Sequence, residues 1–205
     1  MQMLINLEHP HKQTEPSMPL LQLGFRPFFL LAGISAALFI LVWGLFFSSS
    51  RIAGLNVTAY GPVYWHGHEM IFGFVAAVVA GFLLTAVKNW TGRQTATGTL
   101  LLMLVLLWLL ARVLPFIPAT FPYWMIALID ISFLPAVAAS LLPLLIKTRN
   151  FRNLIFIGIL LLLSAANIVF HMGVAGWFEY GQRFGLHAAI YMIILLISIM
   201  GGRVI

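Results

Sequence analysis

The run LIFIGILLLLSAANIVFHMGV, residues 154–174, decides the fold class, because it contains no Asp, Glu, Lys or Arg. A helix needs about 20 apolar residues to cross a hydrocarbon core about 30 Å thick, at about 1.5 Å per residue. Barrel strands would instead show short segments of alternating hydrophobicity. Five other long apolar runs precede or follow it. The predicted spans are 28–47, 66–87, 98–114, 123–146, 154–174 and 184–203. The sequence therefore predicts an all-α, polytopic transmembrane bundle of about six spanning helices.

The composition supports a membrane protein and excludes several soluble classes. Of 205 residues, 62% are hydrophobic and 8% are charged, whereas a soluble domain is about 45–50% apolar and about 25% charged. So few charged residues could not cover the surface of a water-soluble enzyme or a nucleic-acid-binding domain. The absence of Cys excludes disulfides, iron–sulfur clusters and covalent attachment of c-type haem.

The distribution of Lys and Arg predicts the orientation in the membrane. One side of the predicted spans holds Lys12, Arg26, Lys88, Arg93, Lys147, Arg149, Arg152 and Arg203. The other side holds Arg51, Arg112 and Arg183. Cytoplasmic loops carry the excess of basic residues, so residues 1–27 are predicted to be a cytoplasmic tail that precedes the transmembrane domain, residues 28–205. Aromatic residues near the predicted span ends fit membrane interfaces, namely Trp65, Trp90, Trp124 and Trp177.

This orientation separates the six histidines into two groups. His9 and His11 lie in the predicted cytoplasmic tail. The other four fall at the outer ends of spans, namely His66, His68, His171 and His187. Histidine is a common ligand of haem iron and of copper, so these four are candidate cofactor ligands. The alternative is that they are interfacial histidines hydrogen-bonded to backbone or water.

The segment Trp65-His66-Gly67-His68-Glu69-Met70 is the strongest candidate for a metal site within one helix. His66 and Met70 are four residues apart and share a helical face, with Glu69 between them. Imidazole, thioether and carboxylate together suit copper. His66 and His68 point in different directions on a regular helix, so they converge only if His66 precedes the helix. Downstream, Gly73, Ala77 and Gly81 form a small-residue stripe that favours close helix packing.

Polar residues in three other spans are candidates for orienting ligands or conducting protons. Asn167 lies one helical turn before His171 and could orient it, or it could make an interhelical hydrogen bond. Tyr191 shares a face with His187 in the same way. An intramembrane carboxylate such as Asp130 is a functional hypothesis by default. The alternative for Asp130 is a structural pair with Arg112.

Five blocks, in this order and spacing, resemble the NnrS family of bacterial inner-membrane proteins. They are Phe-Arg-Pro-Phe-Phe at 25–29, Trp-His-Gly-His-Glu-Met at 65–70 followed by Phe-Gly-Phe at 72–74, Gly-Phe-Leu-Leu-Thr-Ala-Val at 81–87, Asn-Trp-Thr-Gly at 89–92, and Gly-Gly-Arg-Val-Ile at 201–205. The resemblance implies a protein that contains haem and copper and takes part in nitrogen-oxide metabolism and resistance to nitric oxide. It also implies further helices after Gly-Gly-Arg-Val-Ile, so we expect this chain to correspond to the N-terminal half.

The expected function is therefore that of an NnrS-like haem and copper protein of the bacterial inner membrane. Any haem should be b-type, because there is no Cys to attach it. The expected partners are the lipid bilayer, nitric oxide as a ligand, and the C-terminal half or another subunit, but no nucleic acid. Two alternatives are a metal-free transporter or channel-like bundle, and a structural half that needs a partner chain.

Overall fold

The computed structural model describes residues 18–48, 60–117 and 121–204, and in these ranges the chain is helical with no β-strand. The main helices are α1 (Phe25–Ser48), α2 (Pro62–His68), α3 (Ala76–Thr91), α4 (Gly98–Val113), α5 (Tyr123–Lys147), α6 (Leu154–Val174) and α7 (Gly181–Val204). A π-helical stretch of seven residues, Glu69–Val75, joins α2 to α3 without a break. His9, His11, Lys12 and Arg51 lie outside the described residues.

Six helical stretches in the described part of the chain are long and apolar enough to cross a membrane. They are Phe25–Phe46, Pro62–Thr91, Gly98–Phe116, Tyr123–Lys147, Phe151–Val174 and Gly181–Gly202. The predicted all-α bundle is confirmed, and the chain is a multi-pass membrane protein. The second and fifth spans are the most buried, whereas the first and sixth lie at the outside of the bundle.

The second span begins earlier than predicted, which changes the position of His66. Gly61 adopts a positive φ of 73° and Pro62 occupies the first helical position, so α2 starts there. His66 is therefore inside the helix rather than before it. The condition under which His66 and His68 would converge is not met, and the two side chains point to different parts of the bundle.

The small-residue stripe packs against α1, as the sequence indicated. A Cβ at Gly81 would lie 3.0 Å from the Cβ of Phe28, and one at Gly73 would lie 2.9 Å from the ring of Phe39. Ala77, between them, is fully buried. These contacts place α1 directly on the second span and leave no room for larger side chains on that face.

One predicted interfacial aromatic residue packs inside the bundle. Trp65 is completely buried and lies edge-on to Phe39, with ring centroids 6.0 Å apart. Trp124 and Trp177 are largely exposed, as interfacial residues should be. Trp65 lies three residues after the start of the second span at Pro62, and its ring packs inside the bundle rather than facing outward.

Candidate metal centre

Three side chains from three different spans converge in the interior of the bundle. The Nε2 atoms of His68 and His171 each lie 3.0 Å from the same oxygen, Oδ2 of Asp130. All three side chains are buried, and their ligand-type atoms lie within 4.8 Å of one another. Two imidazoles and one carboxylate in this arrangement form a set that can coordinate a transition metal.

The second ring nitrogen of each imidazole, Nδ1, lies within hydrogen-bonding distance of a further polar group. His68 Nδ1 lies 3.2 Å from Oε1 of Glu69, and His171 Nδ1 lies 2.5 Å from the hydroxyl oxygen of Tyr123. Asn167 donates from Nδ2 to Asp130 Oδ2 at 2.8 Å, and its Oδ1 lies 3.1 Å from His68 Nε2. Metal-binding histidines usually have such a partner on the second ring nitrogen, which fixes the ring orientation.

Arg112 connects the two carboxylates of the cluster. Its Nη1 donates to Glu69 Oε2 at 3.0 Å, and its Nη2 forms an ion pair with Asp130 Oδ1. The Arg112–Asp130 pair considered from the sequence is thus present. Burying an ion costs several kcal/mol unless it is paired, and here two carboxylates share one guanidinium. With neutral histidines, the group carries one net negative charge.

Local backbone geometry explains how Glu69 reaches Arg112. The π-helical turns after His68 shift the backbone hydrogen bonds, and Trp108 Nε1 donates to the carbonyl oxygen of Gly73 at 3.0 Å. A Cβ at Gly73 would lie 3.0 Å from Glu69 Oε2 and 3.2 Å from Arg112 Nη1. Because Gly73 has no side chain, the Glu69–Arg112 ion pair can lie close to the helix backbone. Such π-helical turns occur frequently at functional sites.

Two tyrosines that the sequence analysis did not select complete the site. The ring centroid of Tyr60 lies 5.4 Å from that of His68 and 5.9 Å from that of His171. Burial raises the pKa of the Tyr60 phenol well above its ordinary value, so the hydroxyl stays protonated. Tyr123 starts a span on the same side of the membrane as the four candidate histidines. That shared side was the one available signal for Tyr123.

The other residues predicted for a metal site within one helix do not point at the shared oxygen of Asp130. His66 is half-buried and stacks on Trp43, with centroids 4.4 Å apart. Met70 packs with the aromatic residues around Trp65. Glu69 contacts the cluster through His68 and Arg112 and does not point at the shared Asp130 oxygen. The structure therefore brings together one member of the predicted intrahelical metal set, His68, with residues from two other spans.

His187 and Tyr191 lie on the exposed face of α7, away from the cluster. His187 Nδ1 lies 2.7 Å from the backbone carbonyl oxygen of Arg183. A surface cavity of about 480 Å³ runs along this face. It is lined by Tyr180, Arg183, Phe184, His187, Ala188 and Tyr191. Among the described residues, no hydrogen bond or ring contact joins His187 to another histidine.

A metal ion fits the buried cluster, but a haem does not. The imidazole centroids of His68 and His171 are 5.5 Å apart and the rings are inclined by 72°. Phe170 and Phe72 pack on His68, with centroids at 4.5 and 5.0 Å. These rings fill the space in which a porphyrin plane would have to lie between the two histidines. The donor set and its charge suit an ion held directly by His68, Asp130 and His171.

Comparison with known proteins identifies one family. The family model described as NnrS protein matches residues 19–205. No match is found among curated proteins or among solved structures. The match covers nearly all of the chain, including the whole buried cluster and all six spans. This multi-pass membrane protein therefore belongs to the NnrS family.

Proposed function

We propose that this chain is a metal-dependent protein of nitric-oxide resistance and nitrogen-oxide metabolism in the bacterial inner membrane. In this proposal, copper binds to His68, Asp130 and His171, and b-type haem binds at a separate position. Membership of the NnrS family supports the cellular role, and the geometry of the buried cluster supports the metal site. The predicted cytoplasmic N-terminus would put the cluster in the outer half of the membrane.

The observation that carries the proposal is the convergence of two imidazoles on one carboxylate oxygen in a group with excess negative charge. Both nitrogens of His68 face hydrogen-bond acceptors, namely Glu69 on one side and Asp130 with Asn167 on the other. A neutral imidazole has a single N–H and can satisfy one side only. A cation bound between His68, Asp130 and His171 would satisfy the other side and offset the excess negative charge.

Copper is the metal that the family resemblance implies, and two imidazoles with one carboxylate can hold it. Sites built from nitrogen and oxygen donors bind Cu²⁺ more tightly than Zn²⁺ or Fe²⁺. Glu69 and Tyr123 would hold the distal ring nitrogens and so orient both imidazoles towards the ion. The copper would supply redox chemistry and a position for a small ligand such as nitric oxide, whereas the surrounding side chains hold the ligands and exclude water.

We place the haem on the outer face of α7. His187 has its Nδ1 against a backbone carbonyl oxygen, so its Nε2 would be the atom that holds the haem iron. Arg183, one turn earlier, lines the same cavity and is available to pair with a propionate. A partner would supply a further residue to hold the haem, either the C-terminal half that NnrS-like proteins are expected to have or another subunit. The exposed α7 face is consistent with such a partner.

Metal analysis of the purified protein tests the copper site. We expect about one copper per chain and an electron paramagnetic resonance signal with nitrogen hyperfine structure. His68→Ala and His171→Ala should each lose most of the copper, because each removes one of three ligands. His66→Ala is the matched control, since it removes a histidine two residues from His68 that does not contact the cluster. If His66→Ala lost its copper while His68→Ala and His171→Ala kept theirs, the assignment would be overturned.

Two further measurements separate this proposal from its rivals. A strain carrying His68→Ala should grow as poorly under nitric-oxide challenge as a strain lacking the protein, whereas the His66→Ala strain should grow normally. If the purified chain held no metal and proteoliposomes showed solute flux that Asp130→Asn abolished, the cluster would be an ion or proton path. The transporter interpretation would then replace ours.

A further inference from the structure

The candidate metal centre lies close to one end of the bundle. At about 1.5 Å of helical rise per residue, His68, Asp130 and His171 are each about 5–10 Å from the end at which α2 and α5 begin and α6 ends. In the predicted orientation this is the outer end. Towards the opposite end, the buried hydrophobic core fills the bundle. A hydrated ion or another polar ligand therefore has its shortest path to the cluster from the outer end.

One aromatic ring covers both imidazoles of the cluster. The ring centroid of Tyr60 lies 5.4 Å from that of His68 and 5.9 Å from that of His171, and the two imidazole centroids are 5.5 Å apart. Tyr60 also packs edge-on against Phe170, with centroids 5.3 Å apart, and is only 4% exposed. Because Tyr60 precedes the second span, its ring reaches the imidazoles from the outer end and closes that path.

Tyr60 can move without unwinding a span, because it lies outside the helices. It precedes Gly61, whose positive φ of 73° marks the joint before the first residue of α2, Pro62. Its backbone carbonyl oxygen accepts from Gln182 Nε2 at 3.4 Å, which is long for a hydrogen bond, and its side chain is hydrogen-bonded to that of Tyr123. Both attachments can break while every spanning helix keeps its own hydrogen bonds. Segments that open locally are those held by few such contacts.

The lipid-facing side of the bundle offers no comparable path. A cleft of about 310 Å³ opens there between α1 and α4, and its lining is almost entirely apolar. Arg112 stands between this cleft and the cluster, and its Nη atoms are paired with Glu69 and Asp130. Displacing Arg112 would leave two buried carboxylates without a positive partner. An ion or polar ligand would thus meet an apolar entrance and then a fixed ion pair.

We propose that Tyr60 is a gate through which hydrated metal ions and small polar ligands reach His68 and His171 from the outer end of the bundle. Rotation of the backbone at Gly61 moves the ring off the two imidazoles, and its return excludes water again. The gate gives the proposed metal centre its route of exchange, and in this respect it rests on the proposed function. The movement itself requires no bound metal, so access to the cluster can be measured whether or not the centre binds copper.

A single introduced thiol measures this access directly, because the chain has no Cys. Asn167→Cys places the thiol inside the cluster, at a position that is 2% exposed and is not one of the three proposed ligands. The purified full chain in detergent is treated with a small cationic methanethiosulfonate, and labelling is followed by mass spectrometry. Tyr60→Ala should raise the labelling rate about tenfold, because the ring that must open is gone. Tyr60→Phe, which keeps the ring but loses the hydroxyl bond to Tyr123, should raise it less and gives a second test if Tyr60→Ala does not fold.

Two control variants separate a gate from a general loosening of the bundle. Tyr64→Ala removes the same kind of side chain from an exposed position of α2 and should leave the labelling of Asn167→Cys unchanged. Ser35→Cys puts a buried thiol in the lining of the cleft between α1 and α4, and Tyr60→Ala should not change its labelling rate. Rapid labelling of Asn167→Cys with Tyr60 intact, no increase in either Tyr60 variant, or an equal increase in a control would overturn the gate. Copper content of the unmodified chain tests the metal centre separately, so the two proposals fail independently.

Discussion

Gly73 and Arg112 pack so closely that a Cβ at position 73 would lie 3.2 Å from Arg112 Nη1. The same Cβ would lie 2.9 Å from the ring of Phe39. The glycine of the small-residue stripe therefore has two roles, because it admits α1 and it makes room for the ion pair between Arg112 and Glu69. Packing and the candidate metal centre depend on the same backbone position.

Gly73→Ala should destabilise the protein by about 1–3 kcal/mol, the usual cost of overpacking, and should lower its copper content. The added methyl group would push either Phe39 or the Glu69–Arg112 pair away. Thermal unfolding in detergent and metal analysis would measure the two effects. Gly33→Ala in α1 is the control, since a Cβ there meets nothing within 4 Å. Equal behaviour of the two variants would mean that the helix relaxes without cost.

Gly81→Leu should force α1 away from the second span and sharply reduce the yield of folded protein. Phe28 and Phe29 occupy the space beside Gly81, and their nearest atoms would lie 3.0 Å from a new Cβ. Gly158→Leu in α6 places the same side chain where nothing lies within 4 Å. Size-exclusion chromatography of both variants checks the expectation, and a monodisperse Gly81→Leu protein with an unchanged melting temperature would contradict it.

Arg112→Gln should lower the free energy of unfolding by about 3–5 kcal/mol, because it leaves two buried carboxylates without a positive partner. Neutralising all three groups, with Glu69→Gln and Asp130→Asn added, should recover part of that loss. Arg93→Gln, at an exposed position, should change stability by less than about 0.5 kcal/mol. Chemical unfolding curves for the series would test the charge balance of the cluster. No recovery in the triple variant would show that shape, rather than charge, dominates.

His187→Ala should remove or shift the Soret band of the purified haem-loaded protein, since it deletes the residue on α7 that is proposed to hold the haem. The extracted haem should be b-type, because the chain has no Cys. His9→Ala and His11→Ala should leave the spectrum unchanged, as both residues are predicted to lie across the membrane. A normal spectrum in His187→Ala together with a lost one in His66→Ala would move the haem to α2.

A reporter fused after Ile205 should be active in the cytoplasm. The expectation rests on the excess of Lys and Arg on the N-terminal side and on six spans in the described part of the chain. A second fusion, in the loop after Phe116, should report the opposite side. Periplasmic activity of the fusion at Ile205 would invert the proposed orientation of the metal centre.

The sequence by itself determined the membrane class, the six spans and the family, because long uncharged runs and ordered motifs are local properties of the chain. The spacing of Asn167 and His171 likewise placed them on one face of one helix, and both are buried there. The stripe of Gly73, Ala77 and Gly81 predicted close packing for the same reason. The shared face of Asn167 and His171 and the small-residue stripe could both be inferred from the helical period alone.

The tertiary structure alone decided which candidates meet. His68, Asp130 and His171 are separated by many residues, and their meeting depends on how three spans pack rather than on any local spacing. Within the Trp65–Met70 segment, the start of α2 at Pro62 and the π-helical turns after His68 set the direction of each side chain. The sequence left open whether His66 precedes the helix, and the start at Pro62 places it inside, so helical rotation of about 100° per residue keeps His66 and His68 apart.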